Sequence, residues 1–250
     1  MPETKQVILR VKRQAGPKDA ARWEEFALKW RPSMNVIICL RDIAENPVTR
    51  DGKKTTPVSY DSNCLEEICG SCAMLINGKA RMACSALVDQ LEQPIRIEPL
   101  SKFPLVRDLA VDRQFMFESL KRVKAWIPID GTYDLGEGPR MSPETQEVGY
   151  PLSSCISCGS CLEVCPQVNE NSKFIGAAII SQVRLFNMHP TGAMNKKERL
   201  AALMEPGGIQ DCANAQNCVK ACPKGIPLTE SIAAVNRDVW KQALLGWFIG

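Results

Sequence analysis

Hydrophobic positions change their period once along the chain. Val7, Leu9 and Val11 alternate within Gln6–Arg13, and Phe26, Leu28 and Trp30 alternate likewise, so both segments predict half-buried strands. Ser33 predicts the cap of a helix carrying Val36, Ile37, Leu40 and Ile43 at helical spacing, which stops before Pro47. Ala73–Ile76 and Lys79–Met82 flank Asn77-Gly78, a strong hairpin signal, and Ile95–Glu98 completes a small sheet. Farther on the period becomes 3.6, in Leu109–Lys124, Lys173–Met188, Lys196–Met204 and Leu228–Leu245. Gly131–Gly149, rich in Gly, Pro, Glu and Ser, reads as a long irregular loop. The pattern predicts an α+β chain of two lobes, residues 1–110 and residues 111–250.

Composition adds constraints. With 250 residues, 45% apolar and 24% charged, the chain has ordinary globular values and room for two unequal domains. No run approaches the roughly 18 apolar residues of a spanning helix; the best are Phe174–Ile180 and the tail Ala243–Gly250. Met1–Lys5 lacks the cationic and apolar regions of a secretory signal, which predicts a reducing cytoplasm. Disulfides are then a poor use for 12 cysteines. A net charge of +3 without a basic block gives no reason to expect nucleic acid. Neither a G-x-G-x-x-G after a strand nor a phosphate-binding loop is present, so substrate chemistry is expected in another chain.

The cysteines fall in two groups, Cys64–Cys84 and Cys155–Cys222, and Cys39 stands apart. Cys64, Cys69 and Cys72 have C-x4-C-x2-C spacing with Cys84 as a distal fourth, the plant-type ferredoxin arrangement for a 2Fe-2S cluster. Three thiolates come from one loop, and the hairpin at Asn77-Gly78 returns the fourth. Gly70 allows the backbone to pass close to the cluster and aim N–H groups at sulfur. A structural zinc bound by the same four thiolates is the alternative, but zinc sites usually pair two C-x2-C knuckles and only Cys69 and Cys72 form one.

Cys155, Cys158, Cys161 and Cys165-Pro166 follow the C-x2-C-x2-C-x3-C-P run of bacterial two-cluster ferredoxins, in which the fourth cysteine serves the other cluster. Cys212, Cys218 and Cys222-Pro223 repeat that frame with Ala215 in place of its second cysteine. Crossing the last cysteines over gives Cys155, Cys158, Cys161 and Cys222 for a 4Fe-4S cluster. Cys165, Cys212 and Cys218 remain for a cube whose fourth corner faces a methyl group, hence a 3Fe-4S cluster. Two rivals stay open: a fourth iron held by water, Asp211 or Asn214, or a metal-free helix, which leaves three cysteines unexplained. The fold expected is a plant-type ferredoxin (β-grasp) lobe followed by an all-helical bacterial two-cluster ferredoxin-like lobe. Three clusters at about −2 each would turn the formal +3 into about −3, so some basic residues are counter-charges.

In this order of motifs the chain resembles the iron–sulfur subunits of succinate dehydrogenase and fumarate reductase over nearly its whole length. Ser181–Asn187 and His189–Asn195 also read like that family. The resemblance implies electron transfer from FAD in a separate flavoprotein subunit through 2Fe-2S, 4Fe-4S and 3Fe-4S clusters to a quinone at a membrane-anchor subunit. It places the chain peripherally on the cytoplasmic face of the cell membrane, and fumarate reduction runs the route backwards. In ubiquinone-using relatives a serine and paired tryptophans follow the Cys-Pro, and a histidine follows the first cysteine of the last motif. Here Gln167-Val168-Asn169-Glu170 and Ala213 stand instead, a departure that points to menaquinone and a cytochrome b type anchor. The rival functions are a relay for another flavoprotein dehydrogenase and a zinc-stabilised scaffold.

Some residues tempt without entering this scheme. Cys39 among Val36, Ile37, Ile38 and Leu40 reads as a buried, inert thiol, and His189, the only histidine, as a capping or packing residue. Lys220 and Arg237 read as solvated charge. Trp240, Leu244, Leu245, Trp247, Phe248 and Ile249 make an apolar terminus expected to pack on the anchor or flavoprotein partner.

Overall fold

The computed structural model describes residues 5–128 and 139–249, with side chains as far as residue 244. The chain is α+β and divides into two compact units. The first comprises Met1–Arg113 together with Ile156–Glu163, and the second Gln114–Cys155 together with Val164–Gly250.

In the first unit, β1 (Gln6–Arg13) pairs antiparallel with β2 (Arg22–Lys29). Its other edge pairs in parallel with β5 (Ile95–Glu98), which runs antiparallel to β3 (Ala73–Ile76). A hairpin joins β3 to β4 (Lys79–Met82), giving the strand order β2-β1-β5-β3-β4. Asn77 and Gly78 both take positive φ (49° and 75°), the combination that matches a two-residue turn to strand twist. Alternation along β1 buries Val7, Leu9 and Val11 completely, and the same period carries Arg13 inward. That guanidinium meets Glu24 at 2.6 Å and Asp108 at 3.1 Å and also donates to the carbonyls of Thr56 and Pro57.

Helix α1 (Val36–Glu45) buries Val36, Ile37, Cys39, Leu40 and Ile43. Its cap is Asn35 rather than Ser33: the Asn35 side chain accepts from Ile38 N–H, whereas Ser33 is left-handed (φ 59°) and outside the helix. The segment from Leu109 is not helical at once. Asp108 turns the chain left-handed, and Leu105–Arg107 (β6) pairs with Ala110–Val111 (β7) before helix α2 (Gln114–Arg122) begins.

The second unit is helical among the described residues. The expected loop 131–149 is overturned in its second half, because α3 (Pro143–Ser153) starts there; residues 131–138 of that reading lie outside the described residues. Ser142 accepts from Thr145 N–H, Pro143 takes the first turn and Glu144 faces the positive helix end, so three start signals outweigh a loop-like composition. In the first unit, Ser160–Glu163 forms the single turn α4. The second continues with α5 (Ala177–Met188), α6 (Lys196–Met204), α7 (Asn217–Ala221) and α8 (Leu228–Ile249). Ser181 on α5 meets Ser231 on α8 at 3.3 Å in the core. Arg199 of α6 is fully buried and donates to the carbonyls of Lys124, Trp126 and Gly192 and to Asn187 Oδ1. Among the described residues no helix is long and apolar enough to cross a membrane.

Candidate metal centres

The first cysteine loop is wound around sulfur. Backbone N–H groups of Glu66, Ile68 and Cys69 donate to Cys64 Sγ at 3.4, 3.3 and 3.3 Å, and Cys64 N–H donates to Cys69 Sγ at 3.5 Å. They converge because Leu65, Glu67 and Gly70 are all left-handed (φ 63°, 56° and 72°) between residues that are not, an alternation that turns amides inward to cradle negative charge. Cys72 is buried, and Cys84, delivered by β4, is buried beside it. The Cys64 amide, with the Ser71 hydroxyl and amide, pulls the Cys69 thiol down to about 6. Burial, followed by the neighbouring Cys72, pushes Cys84 up to about 11. The set thus combines amides that favour thiolate with crowding that penalises it until a cationic centre joins the four sulfurs, a donor chemistry that fits a 2Fe-2S cluster.

Gly70 has a second reason to be glycine. A Cβ there would meet the Ile156 carbonyl at 2.3 Å and Cys158 Cα at 3.0 Å, so within the first unit this loop lies directly on the segment that carries Cys158. Cys158 and Cys161 are both buried. Glu163 anchors their segment: it accepts from the Ser101 hydroxyl at 2.6 Å and from Lys102 N–H at 3.0 Å. Cys155 and Cys222 belong to the second unit, and their grouping with Cys158 and Cys161 rests on the frame of the repeat.

Within the second unit, Cys165, Cys212 and Cys218 line one cavity together with Gln167, Asn214 and Ala215. It encloses about 370 Å³ free of protein atoms, part of it open to solvent. Asn217 Nδ2 donates to the Val164 carbonyl at 3.2 Å and ties the Cys218 turn to the Cys165 segment. Burial raises the Cys218 thiol, with Cys165 and Cys212 adding to the effect. Three convergent thiols and a methyl-bearing residue in one wall fit a cluster with three thiolate ligands. Asp211, a rival fourth ligand, accepts from Gly207 N–H at 2.9 Å and is not in the cavity wall, whereas Asn214 is. Among the described residues no three His, Cys, Asp or Glu are arranged to hold a single metal ion.

Cys39 lies on α1, fully buried, and burial raises its thiol to about 12, consistent with an inert core residue. His189 caps α5, its Nδ1 accepting from Gly192 N–H at 3.3 Å. Glu163 and Arg113 were not singled out by sequence. Glu163 lay in view inside the cysteine run, but nothing near Asp112-Arg113 signals a role, because its partners are backbone carbonyls 40 to 43 residues earlier.

Sheet lobe, cysteine loops and helical lobe together define a protein that carries several iron–sulfur clusters. Residues 8–118 match the model of a 2Fe-2S iron–sulfur cluster binding domain, and residues 151–226 that of a 4Fe-4S dicluster domain. The chain is 60% identical to the succinate dehydrogenase iron–sulfur subunit of Bacillus subtilis, over 99% of this chain and 98% of that one. It is 31% identical to the fumarate reductase iron–sulfur subunit of Wolinella succinogenes, over 87% of this chain and 89% of that one. A chain of the Mycobacterium smegmatis Sdh1 complex in the apo form shares the fold, with a TM-score of 0.81 at 23% identity over 96% of this chain and 97% of that one. The chain belongs to the family of succinate dehydrogenase and fumarate reductase iron–sulfur subunits, the electron-transfer subunits of an enzyme complex that carry 2Fe-2S, 4Fe-4S and 3Fe-4S clusters.

Proposed function

We propose that Cys64, Cys69, Cys72 and Cys84 hold the 2Fe-2S cluster, Cys155, Cys158, Cys161 and Cys222 the 4Fe-4S cluster, and Cys165, Cys212 and Cys218 the 3Fe-4S cluster. Bound there, the clusters supply one-electron steps between an FAD-containing flavoprotein subunit and a quinone at a membrane anchor. The chain's own residues hold and tune them: left-handed turns aim amides at Cys64, and Ala215 withholds a ligand. The observation that carries the assignment is the cavity walled by Cys165, Cys212, Cys218 and Ala215. Gln167–Glu170 and Ala213 support menaquinone and a cytochrome b type anchor, and Gln167 and Ala213 are in the wall of that same cavity.

We infer that the complex lies on the cytoplasmic face of the cell membrane, with this chain peripheral. Trp240 and Leu244 are 63% and 53% exposed on α8 and supply apolar surface for a partner. Leu245, Trp247, Phe248 and Ile249 lie outside the residues whose side chains are described. Removing the chain from Leu244 onward is expected to weaken assembly.

The test is the native complex, purified anaerobically. About nine irons and about ten acid-labile sulfides without stoichiometric zinc are expected from the three cluster types. Succinate should reduce a naphthoquinone faster than a benzoquinone. Stoichiometric zinc would overturn the cluster assignment, and a preference for benzoquinone would overturn the quinone.

A further inference from the structure

We propose that Arg113 is an electrostatic bridge between the first two clusters, a permanent positive charge shared by the 2Fe-2S loop and the Cys158 segment that raises the reduction potential of both. This rests on the ligand assignment above.

Arg113 ends the first unit, between β7 and α2, and its guanidinium reaches back into the 2Fe-2S loop. Nη1 donates to the Gly70 carbonyl at 2.7 Å, and Nη2 to those of Ser71 and Ala73 at 2.8 and 3.5 Å. The first two carbonyls lie between Cys69 and Cys72. Gly70 is also the residue that leaves no room for a Cβ against Ile156 and Cys158. One guanidinium therefore clamps the point where the loops of two clusters touch. Burial pulls its proton affinity down, and Asp61, Cys158, Cys72 and Cys69 pull it back up, so ligands of both clusters are among its charged surroundings. Its Nε is buried and has no hydrogen-bond partner among the described residues.

A guanidinium stays protonated at any physiological pH. Reduction adds one negative charge to a cluster, and a fixed cation in a poorly screened site favours that state. Asp61, exposed, offsets part of the charge. A residue acting only as a clamp would depend on its forked hydrogen bonds, which lysine cannot reproduce; one acting by charge would tolerate lysine.

The test is potentiometric EPR on the anaerobically purified complex carrying Arg113→Gln or Arg113→Lys. Arg113→Gln is expected to shift the reduction equilibrium of the 2Fe-2S and 4Fe-4S clusters about tenfold toward the oxidised form, ~59 mV for a one-electron couple. Arg113→Lys should stay within about twofold of the parent, and the 3Fe-4S potential serves as the internal reference. An unshifted Arg113→Gln complex with full cluster content overturns the proposal, as do equal shifts in Gln and Lys variants or equal shifts in all three clusters. Should the Gln variant lose its clusters, Asp61→Asn decides: both potentials are expected to rise, and unchanged or lower values refute the bridge. Iron and sulfide counts on the parent complex separately test the ligand assignment.

Discussion

Two cysteine runs in this chain turn left-handed at the same offsets and differ at eight of eleven positions, three of which change what the loop can do. In Cys155–Cys165, Ser157 and Gly159 are left-handed (φ 49° and 83°), and the turn leads into α4. In Cys212–Cys222, Asn214 and Gln216 are left-handed at the same offsets (φ 53° and 61°), and the turn leads into α7. Against that common template Cys158 becomes Ala215, Gly159 becomes Gln216, and buried Glu163 becomes exposed Lys220. The second run has kept the conformation that presents a ligand, at a cost of about 1–2 kcal/mol for each left-handed residue that is not glycine, while dropping the ligand itself. Such a loop is shaped for a cube and supplied for three irons.

The comparison breaks most completely at Cys218. Cys218→Ala leaves two thiolates in the cavity lined by Cys165 and Cys212 and is expected to abolish the 3Fe-4S EPR signal of the oxidised complex, with the 2Fe-2S signal retained. Retention of the 3Fe-4S signal would sink the ligand set. The next change restores what the second run lacks. Ala215→Cys puts a thiolate between two left-handed residues, as Cys158 is, so the cube should fill: total iron rises from about nine to about ten, and the oxidised 3Fe-4S signal disappears. The added thiolate charge should also lower the potential of that cluster, seen in redox titration. An unchanged iron count would mean that the corner is closed by something other than the missing sulfur.

The cysteine spacings, read with Ala215, propose three sets for eleven thiols, because ligand number and separation are local properties of the sequence, and the structure brings the three of one set, Cys165, Cys212 and Cys218, to one cavity. Strand period and the Asn77-Gly78 turn likewise placed four of the five strands of the first sheet within a residue or two of their observed bounds, and the fifth, β2, was offset by several. What failed was local competition. At Ser33 a plausible cap lost to Asn35 two residues on, and at Ser142-Pro143-Glu144 a helix start was hidden in a stretch whose composition resembled a loop. What could not be read at all was long-range. The bonds of Arg113 to Gly70 and Ser71 and of Glu163 to Ser101 span 42 to 62 residues, and no periodicity encodes them. The left-handed residues were equally silent, since Leu65, Glu67 and Gln216 are types that seldom adopt that conformation.

Glu163 and Lys220 sharpen the comparison on stability rather than metal content. Glu163→Ala strands the Ser101 hydroxyl and the Lys102 amide and is expected to cost about 1–3 kcal/mol. Lys220→Ala, at the same place in the frame but exposed, should stay within about 0.5 kcal/mol. Denaturant unfolding of the holoprotein compares the two, and equal effects would show that Glu163 is not the anchor of its segment.

The smallest effect concerns the template itself. Gly159 adopts its φ of 83° freely, whereas Gln216 reaches 61° against the steric preference of a residue with a Cβ. Gly159→Ala is therefore expected to destabilise by about 1 kcal/mol, and Gln216→Gly, by removing the strain of the second loop, to stabilise by somewhat less, since glycine also frees the unfolded chain. The signs matter more than the sizes. Opposite changes in the unfolding midpoint at two positions of one frame would show that both loops hold the same left-handed turn in solution; a loss of stability with Gln216→Gly would show that the glutamine side chain contributes more than its backbone conformation costs, and that the two runs converge in outline only.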